Sequence, residues 1–144
     1  FREALEAKRE TLGSRHPNTL FSISNLGLLL QAKGDLDAAE PLMYEALEVR
    51  RSALGNRHPH TLNSINNLGV LMRAKGDLAA AEPLLREALE GRRATLSIGH
   101  PDTLTSIRNL RMLLIRRWLG SAYAASCAAC FAIVCIMYLL LHWP

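Results

Sequence analysis

The dipeptide His-Pro occurs three times in this chain of 144 residues, and the three copies are evenly spaced. They begin at His16, His58 and His100, so the interval is 42 residues each time. When residues 13–54 are aligned with residues 55–96, 29 of the 42 positions are identical. A fixed period of this length indicates similar units that stack side by side and share one core between neighbours. The sequence therefore predicts a repeat architecture.

Each unit is predicted to contain two helices joined by a short turn. In the first unit, apolar residues recur at the three- and four-residue intervals of one helix face: Leu20, Ile23, Leu26 and Leu30. Gly34 is placed to end this helix in a left-handed conformation, and Asp35 to cap the next helix, which ends before Gly55. Pro41 lies inside the second helix, where we expect a bend and not a break. The predicted fold class is all-α.

The residue pattern resembles that of tetratricopeptide repeats. In the first unit, the bulky residues, the Leu-Gly pair and the small, large and small residues of the partner helix are Ile23, Leu26, Gly27, Leu30, Ala39, Met43 and Ala46. The second unit repeats this pattern with Ile65, Leu68, Gly69, Met72, Ala81, Leu85 and Ala88. The 42-residue period and the His-Pro-x-Thr-Leu segment are similar to the longer repeat of kinesin light chains and their relatives. The resemblance implies a superhelical solenoid of helix-turn-helix units whose concave groove holds extended segments of other proteins.

A glycine in the interior of a helix costs about 1 kcal/mol relative to alanine. We therefore expect Gly27 and Gly69 to mark places where the partner helix comes close, with the small residues Ala39 and Ala81 opposite them.

The repeat stack is expected to occupy residues 1–117, with a separate apolar helix over residues 118–144. The stack is divided into a half repeat, two complete repeats and a partial repeat: 1–12, 13–54, 55–96 and 97–117. In the partial repeat, Arg111 replaces the glycine of the pattern and Trp118 replaces the turn glycine. This unit is therefore predicted to have a first helix and no recognisable second helix.

The resemblance also implies which side chains of the first helices face the groove. Equivalent positions of successive units form four rungs: Ser24, Asn66 and Arg108; Asn25, Asn67 and Asn109; Leu28, Val70 and Met112; Gln31, Arg73 and Ile115.

The second rung is asparagine in all three units. Because an amide both donates and accepts hydrogen bonds, this rung predicts pairing with the backbone of a bound peptide. The alternative is that these amides satisfy backbone groups between adjacent helices. The first and fourth rungs differ in residue type between units. The arginines at these rungs, Arg73 and Arg108, predict a preference for acidic partners.

Composition and motifs argue against other functional classes. The net charge is only +4, so a nucleic-acid partner is not indicated. No nucleophile, base and orienting residue occur together and no glycine-rich phosphate loop is present, so we predict no catalytic residues and no cofactor.

The three equivalent His residues would lie about 8–10 Å apart or more, so they are expected to precede helix starts and not to bind a metal. The Arg pairs at 50–51 and 92–93 predict a solvated, ion-paired face.

Residues 119–141 form a run of 23 residues without a charge. As a helix this run would be about 35 Å long, enough to cross a hydrocarbon core of about 30 Å. Arg116 and Arg117 precede it, so the positive-inside rule predicts a single-pass anchor with the repeats on the cytosolic side.

Two further hypotheses concern the same run. A small residue recurs in it every four positions: Gly120, Ala124 and Ala128. This face would allow two such helices to pack as a homodimer. The competing interpretation is that an altered reading frame or a retained intron produced the run, in which case the protein would be cytoplasmic.

The sequence therefore predicts a non-enzymatic scaffold or adaptor that binds extended segments of protein partners and is held at a membrane through residues 119–141. A structural spacer with the same stack and no ligand is one alternative. A regulatory repeat module is another, because the chain opens in mid-pattern without Met and is expected to be a piece of a longer product.

Overall fold

The structure, a computed structural model, describes residues 2–124. Six helices follow one another in this range: α1 (Arg2–Leu12), α2 (Pro17–Ala32), α3 (Leu36–Leu54), α4 (Pro59–Lys75), α5 (Leu78–Thr95) and α6 (Pro101–Ala124). No strand occurs within the described range, so the all-α prediction is confirmed there.

The helices begin and end where the sequence predicts. Asp35 and Asp77 accept hydrogen bonds from the backbone N–H of Ala38 at 3.3 Å and of Ala80 at 2.9 Å, and thereby cap α3 and α5. Gly34 has a φ of +83°, the left-handed conformation that a tight stop between two helices requires. Helix α3 continues through Pro41 to Leu54, so the prediction that this proline does not break the helix is confirmed.

Helices α2 and α3 form the first complete repeat, and α4 and α5 form the second. Each second helix also packs against the first helix of the following repeat, so α3 contacts α4 and α5 contacts α6. In addition, α2 contacts α4 and α4 contacts α6. The first helices therefore lie side by side along one surface of the stack.

One apolar core runs through the described repeats from Leu5 in α1 to Leu113 in α6. Leu20, Ile23, Leu26 and Leu30 are all buried in it, as their spacing predicts. Because the core is continuous across repeat boundaries, no single helix pair has to bury its apolar face alone.

The two helix glycines mark close approaches of the partner helix, as predicted. A Cβ atom added to Gly27 would lie 3.1 Å from Cγ of Met43 and 3.6 Å from the backbone oxygen of Ala39. A Cβ atom added to Gly69 would lie 2.9 Å from Cγ of Leu85. Ala39 therefore lies opposite Gly27 as predicted, but at both glycines the large residue of the partner helix comes nearer.

A basic residue of each second helix reaches across the repeat boundary to a serine of the next first helix. The three equivalent pairs are Lys8 with Ser22, Arg50 with Ser64, and Arg92 with Ser106. Arg92 is only 4% exposed and donates further hydrogen bonds to the Asp102 carbonyl and the Asn63 amide oxygen. The prediction of a solvated face is therefore wrong for Arg50 and Arg92, which are inter-repeat contacts.

Ion pairs join the same repeats on the surface. Arg9 pairs with Glu45 at 2.6 Å, and the equivalent Arg51 pairs with Glu87 at 2.7 Å. A second series joins the end of a first helix to the second helix of the preceding repeat: Lys75 to Glu40, and Arg117 to Glu82. For Arg51, the predicted ion-paired face is confirmed.

Helix α6 is longer than its counterparts and continues past Arg117 to Ala124. Its residue Arg111 stands where α2 and α4 have the glycine that admits a close partner helix. A second helix could not approach α6 there as closely as α5 approaches α4. The division at residues 117 and 118 remains a prediction, since residues 125–144 of the proposed apolar helix lie outside the described range.

Candidate peptide-binding surface

The side-by-side helices α2, α4 and α6 form what we call the first-helix surface. Charge is divided unevenly between this surface and the second helices. Asp102 is the only acidic residue in the three first helices, whereas α1, α3 and α5 together carry ten. The first-helix surface is therefore the basic side of the described repeats, and it would attract acidic partners.

The asparagines of the predicted rungs differ in their surroundings. Asn109 donates a hydrogen bond of 3.0 Å from its amide to the amide oxygen of Asn66, which is only 5% exposed. This contact joins two adjacent helices, as the alternative interpretation requires. It differs from that interpretation because Asn109 bonds to a side chain and not to a backbone group. Asn25 and Asn67 are half-buried, and their side chains make no hydrogen bond within residues 2–124. Their amides are therefore the ones in this rung that are open to a ligand.

Arginine is concentrated at the α6 end of the surface. Arg73 donates a hydrogen bond of 3.2 Å to the backbone oxygen of Asn109, and Arg116 donates one of 3.0 Å to the backbone oxygen of Arg73. Partial burial, and then the positive charge of Arg116, lower the pKa of Arg73. Arg108 is exposed on the same helix as Arg116. The like charges of Arg73 and Arg116 thus lie close together, and a bound anion would relieve their repulsion.

The remaining predicted rung residues include three apolar and two polar side chains. Leu28 and Met112 are 40% and 49% exposed, and Val70 between them is half-buried. Ser24 uses its hydroxyl to donate to the Leu20 carbonyl at 2.9 Å, so its hydrogen is already engaged within α2. In Gln31 the side-chain oxygen is buried and has no hydrogen-bond partner among the described residues.

The three repeated histidines cap first helices. In each case Nδ1 accepts a hydrogen bond of 3.2 Å from the backbone N–H two residues later: His16 from Asn18, His58 from His60, and His100 from Asp102. The prediction that they precede helix starts is confirmed. Within residues 2–124, no group of three or more His, Cys, Asp or Glu side chains is arranged to hold a metal ion.

None of the helices in residues 2–124 is long and apolar enough to span a bilayer. Most of the proposed anchor, residues 119–141, lies beyond that range. The same is true of part of the small-residue face formed by Gly120, Ala124 and Ala128, so both remain predictions.

Two groups of residues differ from the sequence predictions. Arg50 and Arg92 are inter-repeat contacts and not solvated surface residues, and Arg116 contacts the groove although it belongs to none of the four rungs. A signal for the first group was present, because positions 8, 50 and 92 are all basic and positions 22, 64 and 106 are all serine. Arg116 has alanine at both equivalent positions, so the repeat pattern carried no signal for it.

Comparison with known proteins agrees with this architecture. The tetratricopeptide repeat family model matches residues 1–52 and 21–94. A kinesin-light-chain-type protein of Podosopora anserina with nearly identical TPR-like repeats is 28% identical, over 78% of this chain and 53% of its own, with a TM-score of 0.74. A variant of that protein is 27% identical over the same shares, also with a TM-score of 0.74.

A more distant structure, BtubC (BKLC) from P. vanneervenii, shares the fold, with 24% identity, a TM-score of 0.70, and coverage of 78% of this chain and 45% of its own. The chain thus spans about half the length of these solved structures. No curated protein matches it.

Tetratricopeptide repeats mediate protein–protein interaction as a class. On its repeat pattern, its helix stack and these matches, the chain belongs to the tetratricopeptide repeat family, and its repeats are of the kinesin light chain type.

Proposed function

We propose that this protein is a non-enzymatic adaptor that binds an extended, acidic segment of a partner protein along the first-helix surface. The observation that carries the proposal is the division of charge. Ten acidic residues lie on the second helices and a single one on the first helices, so an acidic segment meets little repulsion there.

The hydrogen-bonding groups of the surface suit a backbone ligand. The amides of Asn25 and Asn67 are half-buried and make no hydrogen bond within the described residues, and each can donate to a peptide carbonyl and accept from a peptide N–H. Leu28 and Met112 offer exposed apolar contacts beside them. Contacts to the backbone would give affinity with little dependence on sequence, as in other modes of extended-peptide recognition.

The selectivity for acidic segments is assigned to the α6 end. Arg108, Met112 and Arg116 are spaced four residues apart on α6 and so follow one stripe of the helix. Arg73 of α4 contacts the backbone next to this stripe. A carboxylate placed between Arg73 and Arg108 would receive charge-assisted hydrogen bonds, which are stronger than neutral ones.

The test uses the full chain in a nonionic detergent and a fluorescent peptide of twelve residues rich in Asp and Glu, with an Asn and Gln version as the comparison. Binding is followed by fluorescence anisotropy. We expect the acidic peptide to bind more tightly, and Arg73→Gln with Arg108→Gln to weaken it about tenfold, the effect of losing roughly one charge-assisted contact. Arg93→Gln, a change at an exposed residue of α5, is the matched control.

A second pair of variants separates an adaptor from a spacer. Asn25→Ala with Asn67→Ala should weaken both peptides, because it removes contacts to the backbone and not to the acidic side chains. If binding is unchanged while the helical circular dichroism is intact, the surface does not bind peptides in this way and the spacer interpretation is favoured. The regulatory-module alternative would be favoured if the same gene encodes an enzymatic domain upstream of residue 1.

The proposal includes attachment to a membrane through residues 119–141. It is supported by the absence of charge in these 23 residues and by Arg116 and Arg117 just before them. Carbonate extraction of membranes from cells that express the chain tests it. Retention in the pellet is expected, and release into the supernatant would remove the anchor from the proposal without affecting the peptide surface.

A further inference from the structure

A cavity of about 280 Å³ lies where the start of α2, the end of α3 and the start of α4 meet. Its walls combine apolar and basic side chains. Phe21 and Leu54 are unusually open for large apolar residues, with 63% and 45% of their surfaces exposed. Arg15, Arg50 and His60 also line the cavity, and no acidic residue does. None of the predicted rung residues lines it, so it is separate from the peptide surface proposed above.

Arg50 is the basic group at the inner wall of this cavity. It hydrogen-bonds to the hydroxyl of Ser64, and its other terminal nitrogen has only a long contact of 3.4 Å to the Leu20 carbonyl. Burial lowers the pKa of Arg50, and no acidic group offsets this effect. The guanidinium is therefore partly desolvated, with donors that are incompletely used.

The next repeat boundary shows what a complete version of this site contains. Arg92, the equivalent of Arg50, donates to Ser106 at 2.6 Å, to the Asp102 carbonyl at 2.9 Å and to the amide oxygen of Asn63. Burial also lowers the pKa of Arg92, but the Asp102 carboxylate partly offsets the shift. At that boundary the protein itself supplies both an oxygen acceptor and a negative charge.

Two substitutions between the repeats remove these partners from the first boundary. Phe21 stands where the second boundary has Asn63, so the side-chain acceptor is replaced by an apolar ring. His60 stands where the second boundary has Asp102, so the carboxylate is replaced by an imidazole. The two boundaries share most other residues. The second boundary therefore has an acidic residue of its own, whereas the first has an open cavity lined by apolar and basic side chains.

We infer that the cavity between α2, α3 and α4 is a binding site for a small organic acid with an apolar body. The carboxylate would accept hydrogen bonds from Arg50, as the amide oxygen of Asn63 does from Arg92, and would supply the negative charge that Asp102 supplies at the second boundary. The apolar body would lie against Phe21 and Leu54. A ligand of this kind restores the missing charge and covers exposed apolar surface in one step.

Phenylacetate is a suitable probe, because its ten heavy atoms join an aromatic ring to a carboxylate, and phenylacetamide is nearly the same shape without the charge. Binding to the full chain in nonionic detergent is measured by ligand-observed saturation-transfer NMR, with detergent alone as the blank. For a ligand of this size we expect a Kd on the order of 1 mM. Phenylacetamide should bind about tenfold more weakly, the loss expected for one charge-assisted contact.

The internal repeat provides matched variants. Phe21→Asn with His60→Asp gives the first boundary the side-chain acceptor and the carboxylate of the second and should weaken phenylacetate binding about tenfold, since Arg50 would then have an acceptor and a negative charge supplied by the protein itself. Asn63→Phe with Asp102→His makes the reciprocal change and should create a second site, seen as a doubled stoichiometry. Asn67→Ala, on the proposed peptide surface, should leave phenylacetate binding unchanged.

Helical circular dichroism is recorded for every variant. If Phe21→Asn with His60→Asp loses helicity, His60→Asp alone replaces it, since it changes one exposed residue. Equal binding of phenylacetate and phenylacetamide, or undiminished binding by a folded first-boundary variant, would overturn the inference. Neither result would affect the peptide-binding proposal, which is tested on other residues.

Discussion

Replacing the two helix glycines by alanine should have unequal effects on stability, although the two positions are equivalent in sequence. At Gly69 the new methyl group would lie 2.9 Å from Cγ of Leu85 and 3.2 Å from Cβ of Leu84. These atoms lie near the backbone of α5, so relief requires α4 and α5 to separate. At Gly27 the nearest atom is Cγ of Met43 at 3.1 Å, and Met is an unbranched side chain that can adopt another rotamer.

The expected magnitude follows from two opposing contributions. Alanine gains about 1 kcal/mol over glycine in helix propensity at either position. Overpacking a tight core typically costs about 1–3 kcal/mol. We expect Gly69→Ala to lower the free energy of unfolding by about 1 kcal/mol, while Gly27→Ala is close to neutral. The propensity gain cancels in the comparison, so the difference of about 1 kcal/mol reports the packing alone.

The assay is urea unfolding of the full chain in nonionic detergent, followed by helical circular dichroism. A third variant tests the cause: Met43→Leu, introduced together with Gly27→Ala, gives the first repeat the branched residue of the second. It should become as unstable, relative to Met43→Leu alone, as Gly69→Ala is relative to the wild type. Equal effects of the two glycine substitutions, or no effect of the added branch, would refute the packing argument.

The remaining predictions concern caps and inter-repeat contacts. His58→Ala should lower the free energy of unfolding by about 1 kcal/mol at neutral pH, since it removes a helix cap. Urea unfolding followed by helical circular dichroism checks this loss. Lys75→Met removes two ion pairs and should lower the thermal midpoint at low salt but not at about 1 M NaCl, where surface charges are screened. Arg92→Met should cost about 1–3 kcal/mol by urea unfolding because buried acceptors lose a charged donor, whereas the exposed Arg93→Met should stay within about 0.5 kcal/mol of the wild type.

The elements of the fold could be predicted because each depends on local chemistry. The cap at Asp35, the left-handed turn at Gly34 and the apolar spacing from Leu20 to Leu30 each act within a few residues. The 42-residue period then fixed how the helices pair. These signals are strong because every unit repeats them.

The side-chain partners across repeat boundaries could not be read in the same way. Arg50 and Arg51 are adjacent, and both lie near glutamates in sequence, yet one reaches a serine of the next repeat and the other an ion pair. Their different directions depend on where the next helix lies and not on local spacing. For the same reason the sequence did not show that Asn109 would use its amide on Asn66, or that the large residue opposite each glycine would fill the space above it.

Two series of ion pairs between repeats each join residues at a constant separation along the chain. Arg9 to Glu45 and Arg51 to Glu87 are 36 residues apart, and Lys75 to Glu40 and Arg117 to Glu82 are 35 apart. If unequal crossing-over in the gene duplicated one whole unit, the new junction would carry the same ion-pairing residues. An array of this kind can grow during evolution without new contacts having to arise at its junctions.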